Sequence, residues 1–116
     1  MAGPRWVRLD VDYFRNPKAL AAGRDGRALH LASICYTAAQ LTDGAIAATA
    51  LGSVLHDAGV GPRAADRLVA AGLWIPTADG YLIHDYTAMN GTRAQVDARI
   101  EAARKRKAKW MAEHSE

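Results

Sequence analysis

Four consecutive cations, Arg104-Lys105-Arg106-Lys107, with Lys109 just beyond them, form the densest chemical feature of this chain. Side chains of this type neutralise phosphates. Each phosphate engaged releases counterions and steepens the salt dependence of binding by about 0.9 in a log–log plot. On a helix these residues project all round the axis, so several phosphates can be met at once. The alternative is a solubilising helix end, where cations also suit the negative end of the helix dipole. Trp110, beside the cluster, has three uses open to it: stacking on a base, docking on the body, or joining a dimer.

A second pair is Arg63 and Arg67, four residues apart and therefore on one helical face that excludes Leu68. The guanidinium fork matches a guanine edge in the major groove, and a good bidentate pair discriminates by roughly 1–3 kcal/mol. The competing reading is a solvated face, because Asp66 repels phosphate and Ala64 and Ala70 offer no hydrogen bonds. Thr77 and Asp79 mark a turn without Lys or Arg, so a DNA contact there rests on Thr77 or on backbone groups. Arg5, Arg8, Arg15, Lys18, Arg24 and Arg27 alternate with Asp10, Asp12 and Asp25 and read as ordinary surface charge.

Catalytic chemistry finds little to work with. His30, His56, His84 and His114 have no ligand spacing, and the lone Cys35, in an apolar helical stretch, reads as a buried, inert thiol. His84 and Asp85, as strand neighbours, point to opposite faces and form no dyad by themselves. Gly59-Val60-Gly61-Pro62-Arg63-Ala64 touches a dinucleotide fingerprint but follows a helix, and a helix-to-helix turn explains both glycines. The expectation is a non-enzyme with no cofactor and no metal.

Charge is unevenly distributed. Residues 1–90 hold eight Lys/Arg and eight Asp/Glu, whereas residues 91–116 hold seven against four, so the whole net charge of +3 lies in the tail. A neutral body with a basic extension points to a polyanionic partner. No secretory leader is evident and no apolar run approaches membrane-spanning length, so the expected compartment is the cytoplasm, with no membrane partner.

The elements that must position these residues follow from local pattern. Residues 6–12 alternate apolar and polar as a half-buried strand or extended arm does. Asn16-Pro17 starts a short helix that Gly23 closes, and Asp25 caps a second over about 26–40, apolar enough to lie centrally in the core. After the Thr42-Asp43-Gly44 turn, Ala45-Ile46-Ala47 fits a brief strand. Leu51, Val54, Leu55 and Ala58 give an amphipathic helix over 48–58. Gly61-Pro62 restarts a helix over about 62–71, which Gly72 ends. Two strand-like runs, 73–76 and 81–86, flank the Thr77-Ala78-Asp79-Gly80 turn as a hairpin. Thr92 and Gln95 fit a capping box opening a helix to about residue 113, which lies on the body over its first half and projects beyond. The expected fold is mainly α with a small β-hairpin (α+β), a winged helix-turn-helix over residues 1–90 followed by a basic C-terminal helix over 91–116.

The run Trp6-Val-Arg-Leu-Asp-Val-Asp-Tyr-Phe-Arg-Asn-Pro-Lys18 resembles the opening of the N-terminal domain of phage replisome organisers, which are similar to primosomal replication initiators. Val69-Ala-Ala-Gly-Leu-Trp-Ile75 with Asp79-Gly-Tyr-Leu-Ile83 is similar to the end of that family's recognition helix and its wing. Ala103-Arg-Lys-Arg-Lys107 looks like its following basic segment. The resemblance implies a winged-helix domain of a phage or prophage replication module, binding origin DNA and helping to assemble replication proteins. The further partner-binding domain usual in that family has no counterpart in residues 1–116.

These observations lead to a double-stranded DNA binder acting in replication initiation or its regulation. The expected contacts are Arg63, Arg67, Thr77, Arg104, Lys105, Arg106, Lys107 and Lys109, with a homodimer open. The rival is a protein-interaction adaptor on the same scaffold, partnered with replication or other proteins. A repressor or excisionase-like accessory shares the DNA chemistry.

Overall fold

The computed structural model describes residues 6–91 and 93–114. It is mostly helical with one small antiparallel sheet: α1 (Pro17–Gln40), β1 (Ala45–Ala47), α2 (Leu51–Ala58), α3 (Arg63–Ala70), β2 (Trp74–Thr77), β3 (Gly80–Ile83), α4 (Tyr86–Asn90) and α5 (Arg93–His114), with 3-10 turns at Tyr13–Arg15 and Ala48–Ala50. The arm from Trp6 to Asp10 forms no strand. Its alternation is only half used, since Val7 packs against the core while Val11 is 96% exposed.

The α1 start is as the local code dictates: Pro17 occupies the first turn and the Asn16 side chain accepts from the Lys18 N–H at 2.9 Å. Gly23 breaks the run with φ 73° and ψ 179°. The second segment resumes directly after it, so Asp25 lies inside the helix and is not its cap. Arg27 crosses the break and donates to the Ala19 carbonyl at 3.2 Å, satisfying an acceptor at the end of the first segment.

Helix α1 is not buried all round. Its inward stripe is Gly26, Leu29, His30, Ser33, Ile34, Thr37 and Ala38, and Cys35 falls off it and is exposed, which corrects the expectation of a buried thiol. Apolar content misleads here because the stripe tolerates polar groups that find partners locally. Ser33 donates to the His30 carbonyl at 2.7 Å, and Thr37 donates to the Ser33 carbonyl at 2.9 Å. The buried Trp74 indole N–H then donates to Ser33 Oγ at 3.3 Å.

Against this stripe pack α2 and α3, through Val54 and through Ala64, Ala65 and Leu68. The sheet closes the other side in the order β1-β3-β2, every pair antiparallel. Ala45 lies opposite Leu82, and Trp74 lies opposite Ile83. Ile46, Trp74 and Ile83 point into the core. Gly44, at φ 87°, lets the Tyr86 ring lie against the backbone, where any Cβ would approach that side chain to 2.7 Å.

Strand β3 ends at Ile83, earlier than the apolar run implies. Asp85 adopts a left-handed conformation (φ 57°) and a further short helix, α4, follows. With strand alternation gone, His84 Nε2 and Asp85 Oδ2 meet at 3.1 Å, in place of the expected opposite faces. The pair is exposed and contributes little. Thr92, the expected cap of α5, lies outside the described residues, so the capping box is not seen. Helix α5 buries Val96 on the body, and residues 104–114 are all exposed. The molecule is 59 Å long against 31 and 23 Å.

Candidate nucleic-acid interface

The exposed face of α3 carries Arg63, Asp66, Arg67 and Ala70, the complement of its buried Ala64, Ala65 and Leu68. Arg63 stands at the first turn. Arg67 leans towards α1, and its Nη1 would lie 3.1 Å from a Cβ on Gly23. The missing side chain at Gly23 makes room for that guanidinium. Lys18 lies over the far end of α3, with Cε 3.8 Å from where a Cβ on Gly72 would be, a position that suits a cation near a helix C-terminus. Sequence spacing places Lys18 among ordinary surface charges. Only the packing of α1 on α3 brings it to the same helix as Arg67, so no local signal marks it.

Thr77 is exposed at the end of β2 and pairs with Gly80, leaving Ala78 and Asp79 at the hairpin tip. The Asp79 carbonyl accepts from the Ala48 N–H at 2.8 Å. The hairpin is thus short and tied back to the turn before α2, and one of the backbone groups it could offer a ligand is already used.

Arg104, Lys105, Arg106, Lys107 and Lys109 all stand exposed on the part of α5 that leaves the body. Arg104 also bonds Glu101 at 2.7 Å, one turn back. An exposed pair of this kind is worth well under ~1 kcal/mol and yields easily to a phosphate. The root of the tail does not adjoin the α3 cations. Helix α5 sits at the Ala38 and Leu41 end of α1, whereas Arg67 sits at Gly23, about 27 Å away along the helix at 1.5 Å per residue.

Two cavities flank α1. One, of about 430 Å³, lies between α5, the arm and the end of α1, and is lined by Trp6, Val7, Leu41, Val96, Ile100 and Ala103 among others. The buried Asn90 borders it, accepting from the Arg8 N–H at 2.7 Å, while its Nδ2 has no partner among the described residues. The other, of about 540 Å³, has Tyr13 and His30 in its wall. The Tyr13 hydroxyl lies 2.6 Å from His30 Nδ1. Burial pushes the Tyr13 hydroxyl up to about 12, against the pull of the Arg27 cation, and pulls His30 down to about 4. The imidazole is therefore neutral at pH 7, and its Nδ1 shares one buried hydrogen bond with the Tyr13 hydroxyl. Burial likewise raises the Tyr86 hydroxyl, partly offset by its hydrogen bond with Thr37. Among the described residues no three His, Cys, Asp or Glu side chains are placed to hold a metal ion, and no helix is long and apolar enough to cross a membrane.

Comparison with known proteins returns no match to this chain from family models, curated proteins or solved structures.

Proposed function

We propose that this chain is a winged-helix protein that binds double-stranded DNA, with the distal half of α5 supplying phosphate contacts and α3 facing the groove. The observation that carries this reading is the free half of α5: five cations, all exposed, on a helix that runs clear of an electrically neutral body. The element order supports it, since helix, strand, two helices and a hairpin with β1 paired to β3 is the arrangement of a winged helix. One turn of duplex is about 34 Å long, enough to span the separation between the α3 cations and the root of the tail. The replication setting, in a phage or prophage, rests on the resemblance of residues 6–18, 69–83 and 103–107 to the replisome organisers.

The test is fluorescence anisotropy with duplex DNA across a salt series, comparing the intact chain with a form in which Arg104, Lys105, Arg106, Lys107 and Lys109 are all Gln. The expected result is binding at low salt that weakens in the Gln form. Its log–log slope falls by about 0.9 for each phosphate the Gln form no longer neutralises. A second reading, the protein adaptor, draws on exposed apolar side chains just before α1 and on its first segment: Val11, Phe14 and Leu20. No duplex binding by either form at low salt would discard the DNA reading and leave the adaptor.

A further inference from the structure

The side of α5 that meets the body does not end where the body ends. Val96 is buried, and Ile100 and Ala103 border the cavity beside Trp6. At 100° per residue the same stripe continues through Lys107, Trp110 and His114, where none of the described residues covers it. Trp110 is 59% and Met111 53% exposed. The Trp110 ring stacks on His114 with centroids 4.3 Å apart, which lays it along the stripe.

The stripe steps by four, three, four, three and four residues, the spacing of a two-helix seam. Its free part, 103, 107, 110 and 114, is also its own mirror image. Reversing the direction puts residue 103 opposite 114 and residue 107 opposite 110. We propose that two copies of this chain pair antiparallel through residues 103–114 of α5. In this register Lys107 of each copy lies against the Trp110 ring of the other, a cation–π contact. Ala103 leaves room for the opposing His114. Flanking the seam on one side, Arg106 of each copy meets Glu113 of the other, so the opposite charges pair twice by symmetry. Neither Arg106 nor Glu113 has an ion-pair partner among the described residues. Lys105 and Lys109 fall on the opposite face and stay open to phosphate.

The overlap is only about three turns, well below the roughly 800 Å² per partner of a standard interface, so the association is weak and concentration dependent. Its geometry has a consequence that rests on the DNA reading above. The two Val96 anchors come to lie about 35–40 Å apart along the paired helices, close to the 34–36 Å or so that separates half-sites one duplex turn apart. A pair so spaced suits an inverted repeat.

Sedimentation equilibrium of the full chain without DNA, from dilute to near-millimolar protein, tests the pairing. A monomer–dimer equilibrium is expected, weakened about three- to tenfold by Trp110→Ala and by Arg106→Glu. Combining Arg106→Glu with Glu113→Arg should restore it. All of these positions are exposed, and unchanged circular dichroism confirms that the variants fold. A chain that stays monomeric throughout, or a charge swap that fails to restore association, overturns the pairing. Duplex binding by a strictly monomeric chain would overturn this inference while leaving the DNA reading intact.

Discussion

Arg67 lies across Gly23: a methyl group at residue 23 would sit 3.1 Å from the guanidinium Nη1. The glycine thus does two things. It breaks α1 in a conformation with φ 73° and ψ 179°, and it clears the surface on which an α3 cation rests.

Gly23→Ala is therefore expected to destabilise the fold by about 1–3 kcal/mol, since that region of backbone space is open essentially to glycine alone. Asn, which tolerates the ordinary left-handed helical region, should not rescue it because ψ is extended. Thermal unfolding of the two variants checks both statements. An unchanged melting temperature for Gly23→Ala would show that the break is not fixed.

The pH dependence follows from His30, whose folded-state pKa of about 4 lies below the ordinary 6.5. Between those values the unfolded chain binds the proton and the folded chain does not, so stability falls as pH drops. The contribution is complete above about pH 6.5, declines towards pH 4, and totals on the order of 3 kcal/mol. Urea unfolding at a series of pH values should show this decline, and His30→Gln should flatten it. Tyr13→Phe leaves the buried His30 Nδ1 without its hydrogen-bond partner and is expected to cost about 1–3 kcal/mol at pH 7.

Leu68 and Trp110 should respond very differently to truncation. Leu68 is fully buried between α3 and α1, so Leu68→Ala is expected to cost about 2–5 kcal/mol. Trp110→Ala removes an exposed ring and should leave monomer stability within about 0.5 kcal/mol. Denaturant midpoints at low protein concentration, where pairing is negligible, make the comparison.

Under the DNA reading the two basic regions play separable roles. Arg63→Ala should relax sequence preference, losing about 1–3 kcal/mol on a preferred site and little on others. Lys105→Gln with Lys109→Gln should weaken all duplexes alike and lower the salt slope by about 2. Competition titrations with a preferred and a scrambled duplex separate these outcomes.

Much of the architecture is legible along the chain because it is set by short-range chemistry. Asn16-Pro17 announces the start of α1, Gly59 and Gly72 stand where α2 and α3 end, and Thr42-Asp43-Gly44 and Ala78-Asp79 stand where the chain turns. Each depends on one residue's φ, one cap or one missing N–H. The exposed basic helix is legible for the same reason, since a run dense in Arg and Lys with sparse apolar positions offers the body little to bury.

The order of the main elements, α4 excepted, and the identity of the free basic helix are thus written in the residues themselves. Packing was needed to settle which α1 residues turn inward. It brought Ser33 and Thr37 into the core and left Cys35 outside, because burial depends on which partner each side chain finds. It also ended β3 at Ile83, seated Tyr86 on Gly44, paired Tyr13 with His30, and set Lys18 and Arg67 on the α1–α3 side, away from the root of the tail. Those contacts join residues far apart in the chain. Their energies come from surfaces that exist only once α1, α3 and the sheet have packed, and no local spacing encodes them.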